Sequence, residues 1–280
     1  MTTIDRNGVP ALPLRDGAAI PQIGLGVMFV GNDDLPGLIR DAVELGYRHF
    51  DTATHYFNEA GVGEAVRALE IDRDALFVTT KLPNRAHGHD AALRAFDASE
   101  AAIGRIDLYL IHWPQPPKGL YRESWRALVR LKQEGRVRSI GVSNFPPALI
   151  EELVGDTGEW PAVNQIQIHP YHQQPAARAW HAARDIVTES WSPLAHGQAL
   201  ADPAIMAIAA RHGCSPAAVI LNWHLAKGLV IIPKAADRAH LAANIQAIDI
   251  RLDGADIAAI DALDRADGRL GGDPMLHVTD

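Results

Sequence analysis

Cysteine is nearly missing from these 280 residues, where Cys214 stands alone. One thiol excludes an internal disulfide and a cysteine-rich zinc site. No nucleophile–base pattern surrounds it. Its neighbours, His212-Gly213 and Ser215-Pro216, read as a helix-to-helix connection, so the thiol is expected to be structural. Positive charge is also short: 26 Lys and Arg against 34 Asp and Glu leave a net charge of −8, which argues against a nucleic-acid partner. No apolar run approaches the ~20 residues of a membrane-spanning helix. The opening "MTTIDRNGVP" has no basic stretch leading into an apolar one. A cytoplasmic protein without a membrane partner is the expectation. The glycine fingerprint of a dinucleotide fold is missing too. "GVGEAV" at 61–66 puts Val66 where the third glycine belongs and follows a loop, so it reads as the start of a helix.

What is present is a regular beat. Hydrophobic residues make up 48% of the chain, enough for a sizeable core. Asp16-Gly17, set between short apolar stretches, signals a β-hairpin. Eight β-rich runs follow: 23–26, 47–51, 75–81, 106–112, 136–144, 162–167, 186–192 and 229–234. Segments of helical period lie between them, with Trp125, Leu128 and Val129 on one face and Leu93 with Phe96 on another. Gly46, Gly104, Gly135 and Gly228 sit where helices should stop. The last interval holds two helices split near "HGCSP", and one further helix is expected over 254–264. Near-continuous hydrophobicity suits strands buried on both faces. Eight such units in this length predict an α/β fold, a (β/α)8 TIM barrel with an N-terminal β-hairpin, as one domain over 1–280.

In such a barrel chemistry sits at the C-terminal strand ends. Here these carry Asp51, Lys81, His112, Ser143-Asn144, Gln165 with Gln167, Trp191-Ser192 and Lys234. A single polar residue closing a strand is often only the first residue of a loop; seven strands doing so on one rim describe a site. Tyr56 follows Asp51 by five residues. A phenol has a pKa of about 10, too high for easy acid–base work near neutrality, and a nearby lysine should lower it. Asp51 would neutralise Lys81 in a partly buried pocket, and His112 could donate to a carbonyl oxygen. These are parts for protonating an alkoxide. No side chain supplies a hydride, so a nicotinamide cofactor is required.

The chain resembles the aldo-keto reductases, barrels that use NADPH without a Rossmann domain. "GYRHFDTATHYFNEAGVGEA", "VTTKL", "DLYLIHWP", "GRVRSIGVSNF", "AVNQIQIHPY", "WSPLAHG" and "LVIIPK" occur in the family's order. It is most similar to the short bacterial members, the 2,5-diketo-gluconate reductase-like proteins, which reduce small aldehydes, ketones and dicarbonyls. The resemblance implies Tyr56 as general acid, Lys81 held by Asp51, and His112 orienting the carbonyl. It also implies a cofactor groove of Ser143, Asn144, Gln165, Trp191, Ser192, Leu194, Lys234, Arg238, His240 and Asn244, and a substrate pocket including Met28 and Trp113. His55, beside Tyr56, reads equally as a substrate contact or as a solvent-exposed loop histidine.

Three departures from the family pattern bear on function. Lys234 is followed by Ala235, and His240 stands where an Arg is usual, with Arg238 two residues earlier. The 2′-phosphate site is thinner, so NADPH with some use of NADH is expected. Pro83 and Met28 replace residues that are often aromatic, and the tail "GRLGGDPMLHVTD" is short, which suggests an open site. Two rival readings are a cofactor-free or metal-dependent barrel hydrolase, which needs a His-x-His or carboxylate cluster at the strand ends, and a barrel binding NADPH as a sensor. His87 and His89 have metal-like spacing without an acidic cluster and read as a polar loop, so no metal is expected. His169 and His172 read as structural or rim groups, Tyr109 and Trp125 as core. The expected partner is a small carbonyl compound, and the expected state is a monomer.

Overall fold

The computed structural model describes residues 9–276 and the backbone of Thr3–Ile4; the rest of the first eight positions and the last four of the C-terminal tail lie outside the described residues. Three short antiparallel strands open the chain: β1 (Thr3–Ile4), β2 (Pro10–Pro13) and β3 (Ala19–Pro21). The β2–β3 turn falls at Asp16-Gly17 as the sequence predicts. Gly17 takes φ 84°, and the Asp16 carboxylate accepts the Ala18 N–H at 3.0 Å.

All eight expected runs become strands of one parallel sheet: β4 (Leu25–Gly26), β5 (His49–Asp51), β6 (Phe77–Leu82), β7 (Ile106–Ile111), β8 (Val137–Ser143), β9 (Val163–Gln167), β10 (Val187–Trp191) and β11 (Val230–Ile231). They pair in sequence order. Parallel bridges Ile23–Ile231 and Gly26–Lys234 then join the first strand to the last. A Cβ on Gly26 would lie 2.8 Å from the Ile232 carbonyl, so this closure needs glycine there.

Helices α1 (Leu35–Glu44), α2 (Glu59–Ala68), α3 (His89–Ile103), α4 (Tyr121–Gln133), α5 (Pro147–Thr157) and α6 (Pro175–Ala182) fill the crossovers. The long last interval contains α7 (Pro203–His212) and α8 (Pro216–Ala226), capped by the Asp202 and Ser215 side chains; α9 (Arg238–Ile245) and α10 (Gly254–Asp261) follow. Cys214 lies half-buried between α7 and α8, and burial pushes its thiol up, as suits an inert position. The glycines of "GVGEAV" lie inside α2 and serve packing. A Cβ on Gly63 would come within 2.0 Å of the Ala102 carbonyl, so α2 presses directly on α3. No single helix among the described residues is long and apolar enough to cross a membrane.

The larger core lies between sheet and helices, where Phe50, Tyr109, Phe96, Trp125 and Leu128 are fully buried. Each such side chain contributes roughly 1.5–3 kcal/mol. A second apolar group fills the lower barrel: Leu14, Ala18 and Ile20 from the hairpin segment meet Phe77, Leu108, Leu110, Val163 and Val230. Above this plug the inward-facing residues turn polar.

Candidate active site

Strand alternation sends Asp51, Lys81 and Gln165 toward the barrel axis, above the plug. Lys81 Nζ donates to Asp51 Oδ1 at 2.6 Å and to the Thr52 carbonyl at 2.9 Å, with Lys81 0% and Asp51 2% exposed. Tyr56 closes a short 3-10 turn, Thr54–Tyr56, which Phe57 ends in the left-handed region at φ 57°. Thr54 Oγ1 donates to the Lys81 carbonyl at 3.2 Å, tying that turn to β6. Lys81 Nζ lies 5.3 Å from the centroid of the Tyr56 ring, so its charge acts on the phenol. His112 stands edge-on to the Tyr56 ring, centroids 5.9 Å apart.

Asn58, at the start of α2, does not cap the helix with its side chain. Its amide accepts from Thr52 Oγ1 at 2.6 Å and donates to the Val27 and Val30 carbonyls at 2.9 and 3.0 Å. The loop bearing Met28 and Phe29 is thereby held against the Tyr56 loop.

The electrostatics correct one expectation. Burial pushes the Tyr56 phenol up, and the Lys81 charge only partly offsets this, so its pKa lies above the ordinary value. Burial works against the Lys81 ammonium as well, yet Asp51, Tyr56 and Glu189 together raise its pKa. The resulting arrangement at neutral pH is a protonated phenol in contact with a firmly charged lysine.

The other predicted positions mostly gather around one cavity of about 700 Å³. Asp51, Tyr56 and His112 line one side with Met28, His55 and Trp113; Ser143, Asn144, Gln165, Trp191, Ser192, Leu194 and Lys234 line the other. Lys81 lies behind Asp51. Ser143 Oγ donates to the Gln165 carbonyl at 2.9 Å, and Asn144, at φ 64°, donates to Ser143 Oγ and the His112 carbonyl. Trp191 Nε1 donates to Asn144 Oδ1 at 2.8 Å, which fixes the plane of the indole. The short tail runs past its edge: Gly271 N–H donates to Gln167 Oε1 at 3.1 Å, and a Cβ there would meet Trp191 at 2.8 Å.

A second cavity of about 430 Å³ shares Phe29 and Lys234 with the first. Arg238 lines it, but Nη1 is engaged with Asp41 Oδ1 at 2.9 Å and Glu44 Oε2 at 2.7 Å on α1. Asp34, Asp41 and Asp237 line it too. His240 is exposed and bonded to Asp237, Asn244 is buried on α9, and neither lines either cavity. The two connected spaces suit an extended ligand. A flat aromatic face and amide groups stand at one end, and the cations Lys234 and Arg238 at the other. Among the described residues no three metal-ligating side chains cluster.

Three neighbours escaped sequence reasoning. Phe29, 81% exposed with φ 67°, stands between the cavities with Lys234 Nζ 5.4 Å from its ring. His196 lines the first cavity and pairs with Ser192 Oγ at 3.0 Å. Glu189 lies beneath the site, bonded to Gln165. Its signal was available: it precedes Trp191 by two residues on one strand and so shares its face.

Comparison with known proteins agrees in extent and shape. The model of the Aldo/keto reductase family matches residues 22–265. An aldo-keto reductase of Mycolicibacterium smegmatis is 44% identical over 267 residues, covering 95% of this chain and 97% of that one. Methylglyoxal reductase DkgA of Escherichia coli is 41% identical over 265 residues, covering 94% and 96%. Among solved structures, Gox0644 in its apo form superimposes with a TM-score of 0.93 at 45% identity, covering 97% and 99%. A Gox0644 mutant in complex with NADPH gives 0.91 at 46%, covering 95% and 97%.

Proposed function

The chain belongs to the aldo/keto reductase family and is an NADP(H)-dependent carbonyl reductase; we propose that it reduces small aldehydes, ketones or dicarbonyls, with Tyr56 as proton donor. The observation that carries this reading is the buried Asp51–Lys81–Tyr56 chain opening beside His112 into the larger cavity. NADPH held in this groove would supply the hydride for the carbonyl carbon. The protein's own part is to hold the carbonyl oxygen between the Tyr56 hydroxyl and the His112 ring. As negative charge develops on that oxygen, Tyr56 transfers its proton. The Lys81 charge, close beside the ring, stabilises the phenolate left behind. Asp51 keeps the lysine charged through the cycle. A phenol that burial holds protonated is suited to this direction, since its proton is in place at neutral pH.

Ser143, Asn144, Gln165, Trp191, Ser192 and Leu194 would hold the nicotinamide half of the cofactor, and Lys234 with Arg238 its phosphate end. His240 and Asn244 belong to this assignment through the family resemblance alone. Met28, His55 and Trp113 would face the substrate. We take the protein as one barrel domain over 1–280, working as a cytoplasmic monomer on a small-molecule substrate, with neither nucleic acid nor membrane as partner. The net charge of −8 supports the last point.

NADPH consumption with methylglyoxal, followed for the parent and for Tyr56→Phe, tests the chemistry. Turnover by the parent and its loss in the variant are expected. Turnover that survives in Tyr56→Phe would remove that residue from its role, and no turnover in the parent would favour a cofactor sensor.

A further inference from the structure

Beneath the reacting groups lies a carboxyl that the mechanism above does not use. Glu189 on β10 is 0% exposed. Its register partners are Gln165 on β9 and Val230 on β11, so it points into the barrel between the apolar plug and the Asp51–Lys81 pair. Gln165 Nε2 donates to Glu189 Oε2 at 2.9 Å and to Asp51 Oδ2 at 2.8 Å. One amide nitrogen therefore joins two carboxyl groups.

The other oxygen, Oε1, has no hydrogen-bond partner. What faces it is His49 Nε2 at 3.6 Å, on an imidazole that is itself completely buried. That ring contacts Thr79 Oγ1 at 3.2 Å and packs edge-on to Phe77, while a Cβ on Gly24 would strike its Nδ1 at 2.6 Å. Burial holds His49 neutral, with its pKa lowered to about 3. The titratable or charged groups around Glu189 are thus His49 and Asp51 from β5 and Lys81 from β6, with Tyr56 beyond; Gln165 on β9 is the neutral donor, and the β11 register partner is Val230. Lys81 already serves Asp51 and Thr52. A fully buried carboxylate with one neutral donor and one unpartnered oxygen is too costly to persist, and such a group keeps its proton. Burial and the nearby Asp51 charge act in that sense, pushing Glu189 up to about 8.

We propose that Glu189 is a positioning residue for the reaction: uncharged, it holds Gln165 in place against Asp51, and when it ionises it alters the proton affinity of Tyr56. This rests on the assignment of Tyr56 as proton donor. A charge at Glu189 raises the pKa of both Tyr56 and Lys81. The phenol then becomes a weaker acid, and carbonyl reduction slows as the carboxyl deprotonates. The barrel interior in this way sets the alkaline limit of the reaction from a position that touches neither substrate nor cofactor.

The test compares kcat/KM for carbonyl reduction across the neutral and alkaline range in the parent and in Glu189→Gln. The parent should break downward near pH 8, where Glu189 ionises. The variant should match the parent on the acid side and lose that break. A break retained unchanged in Glu189→Gln overturns the proposal, as does a uniform loss of activity with the profile's shape kept, which marks a purely structural role. Carbon-13 NMR of parent protein labelled at glutamate side-chain carboxyls reads the proton without turnover and needs no variant to fold. One glutamate resonance should titrate far to the alkaline side of the others; its absence overturns the proposal. Tyr56→Phe separates the two readings: if it stays active, the donor assignment fails, while the NMR titration still reports on Glu189.

Discussion

Replacing Asp51 by Asn removes the only carboxylate bonded to a lysine that is entirely out of water. Lys81 keeps its bond to the Thr52 carbonyl, but Gln165 Nε2 comes to face an amide group in place of the Asp51 Oδ2 acceptor. Breaking a buried pair from one side costs about 3–5 kcal/mol, which for a chain of this size lowers Tm by roughly 6–20 °C. The pH dependence is the sharper test. In the parent, Lys81 has a raised pKa, so its contribution is complete below the ordinary lysine value of about 10.4 and is lost only as pH climbs through the higher folded value. Without Asp51, burial dominates and the folded pKa falls below the ordinary one. The unfolded chain then binds more protons over that window, and the variant gains stability as pH rises through it. Urea unfolding followed by tryptophan fluorescence should therefore show a larger deficit at about pH 6 than at about pH 9. Carbonyl reduction should fall on the order of 10²-fold as Tyr56 loses a charged partner. An equal stability deficit at both pH values would refute the picture of a buried ammonium held by Asp51.

The clasp on Arg238 bears on cofactor choice. Asp41→Asn combined with Glu44→Gln frees that guanidinium beside the second cavity and should raise the kcat/KM preference for NADPH over NADH roughly two- to fivefold. Lys234→Ala should move the preference the other way, and equal KM for the two cofactors in the parent would remove the NADPH preference. Gly63→Ala forces α2 away from the Ala102 carbonyl and should cost about 1–3 kcal/mol in urea unfolding, with the catalytic pH profile unchanged.

Much of the fold was legible because seven of the eight barrel strands announce themselves twice, by a β-rich run and by a polar residue where each ends. Asp51, Lys81 and His112 could be read off those ends, and Tyr56 from its loop spacing. What the residue types do not carry is the balance of forces where many of them meet. Lys81 beside Tyr56 suggested a lowered phenol pKa, yet exclusion of water outweighs that charge. Arg238 looked available for a phosphate; its engagement with Asp41 and Glu44 joins positions nearly two hundred residues apart. Asn58 stands just before α2, yet its side chain ties two loops together and does not cap the helix. Glu189 shares a strand face with Trp191, but its pairing through Gln165 to Asp51 joins three strands and shows only in the fold.

The hairpin segment that fills the lower barrel with Leu14, Ala18 and Ile20 does more than complete a core. It fills one end of the cylinder with apolar side chains, so the polar interior faces the reaction cavity at the other end. A proton leaving Asp51 through that cavity passes the position where substrate would sit. Occupancy of that cavity then governs exchange with solvent by this route, and the charge it leaves in place during a turnover is the one set before the cavity was filled.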